Sequence, residues 1–198
     1  MKTVACVLTC VAAVWTSGCF RSPPTHFYSL HPLPTGIQRA TTTDGPRIEI
    51  VVDEFPGYLN DPKMAVRRAN GEIVVDEYNR WIEELENNFE RTVMENLVTR
   101  LDNPSIVVVP PYRASESTPS FRLEVVQFDV SEEGEAVLKV RWGFSGRDAK
   151  SAGPLRLSVY REQLDGQSTE GRVAALSRTV ASLCDELAVA VRMGGATS

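Results

Sequence analysis

The side chains best suited to covalent or acid–base chemistry are four cysteines and two histidines, and their spacing forms no catalytic or metal-binding motif. The cysteines are Cys6, Cys10, Cys19 and Cys184, and the histidines are His26 and His31. No CxxC pair or Cys/His cluster has the spacing of metal ligands. Both histidines lie near the N-terminus, so the body of the chain has no histidine to act as the base of a Ser-His-Asp triad. We expect no metal, no cofactor and no catalytic residue.

The carboxylates are numerous, but solubility accounts for them without catalysis. The adjacent pairs Asp53-Glu54, Glu83-Glu84 and Glu132-Glu133 fall on predicted exposed faces or turns. The sequence also has no GxSxG turn, no glycine-rich phosphate loop ending in Lys-Ser/Thr and no HExxH helix. The sequence therefore favours a protein that is not an enzyme.

Composition indicates a globular chain that avoids nucleic acid. The chain has 198 residues, 42% hydrophobic and 24% charged, with a formal net charge of -5. These values are close to the globular average, and 198 residues are the usual length of one domain. A net negative surface without a basic stripe repels phosphate backbones. We expect no nucleic-acid partner.

Residues 1–18 have the three-part layout of a secretory signal peptide. Lys2 provides the positive charge, residues 4–15 are apolar, and Thr16, Ser17 and Gly18 are small or polar. The apolar stretch is too short to span a bilayer comfortably. The alternative is a buried N-terminal helix or strand, which the prolines at 23 and 24 would end abruptly.

The residues before Cys19 resemble the lipobox of bacterial lipoproteins. Ser17 and Gly18 match its small residues, whereas Thr16 stands where the family usually has an aliphatic residue. The resemblance implies that residues 1–18 are removed and that Cys19 is acylated, with chains such as palmitate, leaving 19–25 as a lipidated tether. Two or more acyl chains hold a protein stably, since each buried methylene contributes roughly 0.8 kcal/mol. Phe20, rather than Asp, after the cysteine implies the outer membrane of a Gram-negative bacterium, with the domain facing the periplasm.

Hydrophobic periodicity predicts an α+β fold. Apolar patterning predicts strands near 27–30, 48–52, 121–130, 136–144 and 155–161, with Leu155, Leu157 and Val159 on one face of the last. A fully apolar run predicts an interior strand near 105–109, and Asn70-Gly71 predicts a hairpin. Apolar residues at every third or fourth position predict helices from Tyr78 to Leu101 and from about Ser168 to Met193. A change of face at Val125-Val126 predicts a bulge or a strand covered on both faces. We expect a mixed, largely antiparallel sheet with two long amphipathic helices packed on one face.

This arrangement places a single domain at residues 26–193, followed by a flexible tail at 194–198. Cys184 falls on the apolar face of the second predicted helix. A buried free thiol is the simpler interpretation of this residue, although pairing with Cys19 is open once the leader is removed.

Two segments contain aromatic and basic residues that packing alone explains less well. Tyr58 and Leu59 lie in a turn-rich stretch followed by Arg67, and Arg80-Trp81 opens the first predicted helix. Trp81 is either a core anchor or, with Tyr58 and Leu59, part of an interaction surface, because rigid aromatics beside arginine make good hot spots.

At these residues the chain resembles the PqiC/YmbA family of ABC-type transport auxiliary lipoproteins. The resemblance runs through "FYSL", "IEIVVDEFPGYLNDPKMAVR", "EYNRWIEELENNFERTVMENL" and "VVQFDV" with "AVLKVRWGF". It implies a non-enzymatic, lipid-anchored docking subunit of an MCE/ABC-type system that moves lipids between two membranes and maintains envelope integrity. The implied partners are an MCE-domain protein and further copies in a ring, with Tyr58, Leu59, Arg67, Arg80 and Trp81 as the partner-binding residues.

The tether length agrees with a docking role. About six residues separate Cys19 from the first predicted strand, which is a reach near 20 Å at 3.3–3.6 Å per residue. The alternative function is a periplasmic lipid or small-ligand binding lipoprotein. That function requires a continuous apolar pocket lined by residues such as Phe128, Trp142 and Phe144, and a tightly packed core would count against it.

Overall fold

The computed structural model describes residues 22–33, 45–145 and 155–195. The predicted signal peptide and residues 19–21 of the predicted tether, which include Cys19, lie outside these ranges, as do residues 196–198 of the predicted tail. The elements in chain order are β1 (His26–Tyr28), β2 (Ile48–Glu54), β3 (Lys63–Arg67), β4 (Ile73–Trp81), α1 (Leu85–Leu101), β5 (Ile106–Val108), β6 (Ser120–Ser131), β7 (Glu135–Ser145), β8 (Arg156–Gln163) and α2 (Thr169–Gly195).

The eight strands form one mixed sheet that divides along β6. On one side of β6, the antiparallel strands β7 and β8 follow in order. On the other side, the first half of β6 pairs in parallel with β2, which pairs with β5. The end of β6 pairs in parallel with β3, which leads to β4 and then β1. We call the place where β2 and β3 diverge from β6 the fork.

A bulge in β6 lies at the fork. The register with β7 shifts between Val125 and Gln127, which confirms the bulge predicted from the change of face in the sequence. An extra residue bends a strand and increases its local twist. Because β6 bends here, its first half can pair with β2 while its end pairs with β3.

Both helices pack on the same face of the sheet, as predicted. Phe89 and Val93 of α1 and Leu183 and Leu187 of α2 are fully buried. They join one core with the inward-facing residues Phe121, Leu123, Leu138 and Val140 of β6 and β7. Cys184 also lies in this core as a free thiol, and burial raises its pKa. The predicted α+β fold is confirmed.

The first helix is shorter than its periodicity suggested. Residues Tyr78 to Trp81 belong to β4, and α1 begins only at Leu85. Trp81 N donates to Pro62 O at 2.7 Å and Ile82 N donates to Tyr28 O at 2.9 Å, so this segment is paired with chain on both sides. The prediction that Arg80-Trp81 opens the helix is therefore wrong. Local periodicity could not show this, because the backbone partners Pro62 and Tyr28 lie far away in sequence.

The stretch after β1 lies between the two helices. Leu30 N donates to Asn88 Oδ1 at 2.6 Å, and Leu33 N donates to Asn96 Oδ1 at 3.1 Å. On the α2 side, His31 N donates to Ser177 Oγ at 3.3 Å. Asn88 and Asn96 are completely buried, so these side chains satisfy backbone groups that would otherwise lack partners. The chain that follows the tether is therefore built into the fold.

Candidate partner-binding site

The five residues predicted to bind a partner occupy three short segments. Tyr58 and Leu59 lie in a 3₁₀ turn, Gly57–Leu59, that follows β2 at the fork; Arg67 ends β3; Arg80 and Trp81 end β4. Pro56 introduces the turn in an extended conformation, and Leu59 N donates to Pro56 O at 2.9 Å. The sequence signal "PGYL" therefore corresponds to a real turn.

Tyr58 and Arg67 meet at a carboxylate that the sequence analysis did not single out. Tyr58 Oη donates to Asp129 Oδ2 at 2.7 Å. Arg67 donates to the same oxygen through Nε at 2.9 Å and Nη2 at 2.5 Å. Gln127 Nε2 donates to Asp129 Oδ1 at 2.8 Å. We call Tyr58, Arg67, Gln127 and Asp129 the fork cluster.

The fork cluster is centred on a buried carboxylate. The Asp129 side chain is 0% exposed, whereas that of Arg67 is 31% exposed. The Arg67 guanidinium also lies 5.3 Å from the centre of the Tyr58 ring, within range of a cation–π contact. Burial, followed by the hydrogen bond and charge of Asp129, raises the pKa of Tyr58 to about 12. Tyr58 therefore stays protonated at physiological pH and acts as a hydrogen-bond donor.

Asp129 had one recognisable signal in the sequence. It is the only acidic residue within the apolar run "VVQFDV" of β6. A carboxylate in such a strand needs a partner when it is buried, and Arg67 was the basic residue already singled out. What the sequence did not provide was the parallel pairing of β3 with β6 that brings the two together.

Leu59 and Trp81 are core residues. Each is 5% exposed, and both line a cavity of about 10 Å³ together with Met64 and Leu85. That volume holds one water molecule at most. Of the two interpretations left open for Trp81, the structure supports the core anchor, and Leu59 likewise fixes the turn from below.

Arg80 takes no part in the fork cluster. Its Nε is buried and has no hydrogen-bond acceptor. Arg80 pairs in register with Lys63 of β3 on one side and Phe27 of β1 on the other. The structure thus joins two predicted residues through Asp129, places two in the core, and leaves Arg80 at a separate edge.

A shallow depression of about 330 Å³ lies beside the turn. It is lined by Leu59, Asn60, Glu84, Leu85 and Glu86. Burial and the neighbouring Glu84 raise the pKa of Glu86. Two carboxylates at one depression favour a basic group on whatever binds there.

A serine and a histidine also meet in the fold, 146 residues apart in sequence. Ser177 Oγ lies 3.4 Å from His31 Nδ1. However, Ser177 is fully buried and donates to Val173 O at 2.8 Å. A hydroxyl that is buried and already committed to a backbone carbonyl lacks the access and activation of a nucleophile. Among the described residues, no group of three or more His, Cys, Asp or Glu side chains is placed to hold a metal ion.

The matches with known proteins agree with this fold. Residues 28–188 match the family described as ABC-type transport auxiliary lipoprotein component. The chain belongs to this family. The intermembrane transport lipoprotein PqiC of Escherichia coli K12 is 24% identical over 184 residues, covering 91% of this chain and 96% of PqiC. PqiC of Shigella flexneri gives the same values.

Two crystal structures share the fold of this auxiliary lipoprotein. One, of an uncharacterized protein, has a TM-score of 0.65 at 17% identity, covering 85% of this chain and 99% of that one. The other, protein XCC0632 of Xanthomonas campestris, has a TM-score of 0.64 at 15% identity, covering 87% and 98%. No helix in the described ranges of this auxiliary lipoprotein is long and apolar enough to cross a membrane.

The residues expected to line a ligand pocket are packed against other aromatic side chains. Phe128 lies edge-on to Phe89 with ring centres 5.5 Å apart. Trp142 and Phe144 both contact Phe121, at 6.4 and 4.8 Å. This packing counts against the alternative of a ligand-binding lipoprotein, for which these three residues were the expected lining.

Proposed function

We propose that the protein is a non-enzymatic docking subunit of an MCE/ABC-type system that moves lipids between the two membranes of a Gram-negative envelope and maintains its integrity. In this proposal residues 1–18 are a signal peptide, and acylated Cys19 anchors the domain to the outer membrane, facing the periplasm. Membership of the auxiliary lipoprotein family and the likeness to PqiC, named an intermembrane transport lipoprotein, support the proposal.

The observation that carries the docking role is the way the 3₁₀ turn is held. Tyr58 and Leu59 fix it from below through the fork cluster and the core, while Gly57 and Asn60 face solvent. A turn fixed in advance loses little conformational entropy when a partner binds it. We therefore assign the partner surface to residues 57–61 and the adjoining depression, with Tyr58, Leu59, Arg67 and Trp81 supporting it from within.

The proposed occupant is a basic segment of an MCE-domain protein. Glu84 and Glu86 of the depression supply the complementary charge. A ring of copies would repeat this surface around one axis and present several such turns to the partner at once.

The decisive experiment is a mild-detergent pull-down of the tagged protein from its native envelope, with proteins and lipids identified by mass spectrometry. We expect an MCE-domain protein in stoichiometric amounts. Recovery of the lipoprotein alone, with a phospholipid beyond its own acyl chains, would favour the ligand-binding alternative instead.

A matched pair of variants assigns the surface. Gly57→Arg places a bulky cation on the turn, and it fits because nothing lies within 4 Å of a Cβ built there. Ser117→Arg adds the same charge at an exposed position near the opposite end of β6. We expect loss of the partner with Gly57→Arg only, and equal recovery with both variants would show that the turn is not the docking surface.

A further inference from the structure

A second exposed surface lies at the edge of the sheet where the chain enters the domain. Phe27 of β1 is 58% exposed, Ile82 directly after β4 is 60% exposed, and Tyr78 of β4 is 45% exposed. Phe27 pairs with Arg80 in parallel register. We call Phe27, Tyr78, Arg80 and Ile82 the edge patch.

The edge patch faces away from the core. Residues paired directly on neighbouring strands share a face, and successive residues alternate between faces. The pair after Phe27 and Arg80 is Tyr28 and Trp81, of which Trp81 is buried in the core and Tyr28 packs against it. Phe27 and Arg80 therefore lie on the opposite face. Clustered large apolar side chains that a core does not use mark interaction sites.

Arg80 gives this patch an unmet hydrogen-bonding capacity. Its Nε is buried without an acceptor, and among the described residues no carboxylate forms an ion pair with it. A buried donor without a partner is rare in native structures and requires an explanation. Lys63, in register with Arg80, adds a second cation. Its Nζ forms an ion pair with Glu77 Oε1 at 2.8 Å. The chemistry that completes the patch is an anion flanked by apolar material.

The position of the patch in the chain identifies its occupant. Only residues 20–25 separate Cys19 from β1, a reach of about 20 Å when extended. The sequence also continues from β1 into the groove between the helices, where Leu30 and Leu33 are held by Asn88 and Asn96. The tether therefore joins the domain at a fixed point. An acylated Cys19 would keep β1 and its neighbour β4 within reach of the bilayer surface.

We propose that the edge patch rests on the phospholipid surface as a second, non-covalent membrane contact. Phe27 and Ile82 enter the boundary between headgroups and acyl chains, and the Arg80 guanidinium donates to a lipid phosphate. This contact orients the domain on its membrane, so that the 3₁₀ turn is presented in one direction. The inference rests on the acylation of Cys19 put forward under the proposed function.

The test uses the acylated protein in vesicles of phosphatidylethanolamine and phosphatidylglycerol, without any partner. A fluorophore is attached at Tyr78→Cys or, as a matched control, at Leu157→Cys on β8, which is 56% exposed on a strand far from β1 in the sheet. Cys184 is fully buried and does not compete for the label. Lipids that carry a nitroxide near the headgroup then report contact by quenching.

We expect quenching of the label at position 78 and none at position 157. In the position 78 background, Phe27→Ser combined with Arg80→Gln should abolish the quenching while leaving the thermal midpoint and the acyl mass of the protein unchanged. Equal quenching at both positions, or none at position 78, would overturn the proposal. So would a label shielded only when a partner protein is added, because the occupant would then be protein.

The two proposals fail separately. Loss of the MCE-domain protein from the pull-down, with position 78 still quenched, would remove the docking role and leave the membrane contact. Recovery of the partner without quenching would do the opposite. A protein that carries no acyl chain at Cys19 would remove the anchor and overturn the membrane contact with it.

Discussion

Arg67 and Arg80 end neighbouring antiparallel strands, yet their surroundings differ in every respect that decides a role. Arg67 makes two hydrogen bonds to a fully buried carboxylate and covers a tyrosine ring. Arg80 has a buried Nε without an acceptor and stands between exposed apolar side chains. The same residue type, singled out for the same reason in the sequence, is therefore part of the scaffold in one place and of an exposed surface in the other.

The largest effect is expected for Asp129→Asn. This change leaves Arg67 without its carboxylate and weakens the bond from Tyr58, so the free energy of unfolding should fall by about 3 kcal/mol. Urea denaturation followed by circular dichroism measures it. Asp53→Asn is the control, because Asp53 pairs with a 44% exposed Arg122, and such surface pairs contribute about 1 kcal/mol or less. Equal losses would contradict the assignment of the fork cluster as structural.

Leu59→Ala should be the next in size. Leu59 fills the space beneath the 3₁₀ turn, and its truncation should lower the free energy of unfolding by about 2 kcal/mol, since the nearby surface can partly collapse into the cavity. The same denaturation experiment measures it. A surface role for Leu59 would instead leave stability unchanged and reduce partner recovery alone.

Glu90 of α1 should make the stability of the folded protein depend on pH. Burial, together with repulsion from Glu86, raises the pKa of Glu90 to about 7 from an ordinary 4.5. The folded state therefore holds a proton that the unfolded chain releases, and this group makes the protein less stable as pH rises from 4.5 to 7. Glu90→Gln should raise the denaturation midpoint at pH 8 and have little effect at pH 4. Glu116→Gln, at an exposed loop position, should show no such difference between the two pH values.

The smallest effect on stability is expected for Arg80→Met. The methionine keeps much of the apolar stem and removes an unsatisfied donor, so the free energy of unfolding should change by about 0.5 kcal/mol or less. Arg67→Met makes the same change on β3 but leaves the buried Asp129 carboxylate without its cation, so the free energy of unfolding should fall by about 3 kcal/mol, as for Asp129→Asn. Thermal denaturation of the two variants side by side checks this. A marked loss with Arg80→Met would make Arg80 a structural residue as well.

Much of the fold could be predicted because its signals are local. The second helix was expected from about Ser168 to Met193 and runs from Thr169 to Gly195, two residues into the predicted tail. The hairpin at Asn70-Gly71 joins β3 to β4, with Gly71 at a φ of 87°, a backbone conformation that glycine adopts readily. Each of these elements is specified by residues a few positions apart.

Other predictions failed where partners distant in sequence decide the outcome. The stretch 105–109 was expected to form an interior strand, but β5 pairs with β2 alone and lies at an edge of the sheet. Leu157 and Val159 of β8 share one face, as their alternation indicates, but that face is exposed. In their place Ser158 and Tyr160 face α2, where both donate to Glu186. A period of two shows that a strand has two faces, but not which face another element covers.

By itself, the sequence determined the family resemblance, the periodic elements, the turn at 57–59 and the presence of Tyr58 and Arg67 in the same segment. The tertiary structure alone decided that Trp81 ends a strand, because Trp81, Leu85 and Phe89 keep a spacing of four that suits a helix while the backbone at Trp81 bonds to Pro62. It also decided that Arg67 meets Asp129 and that Arg80 meets nothing polar at its Nε. Parallel pairing joins segments separated by long connections, so no local pattern records which charges it will bring together.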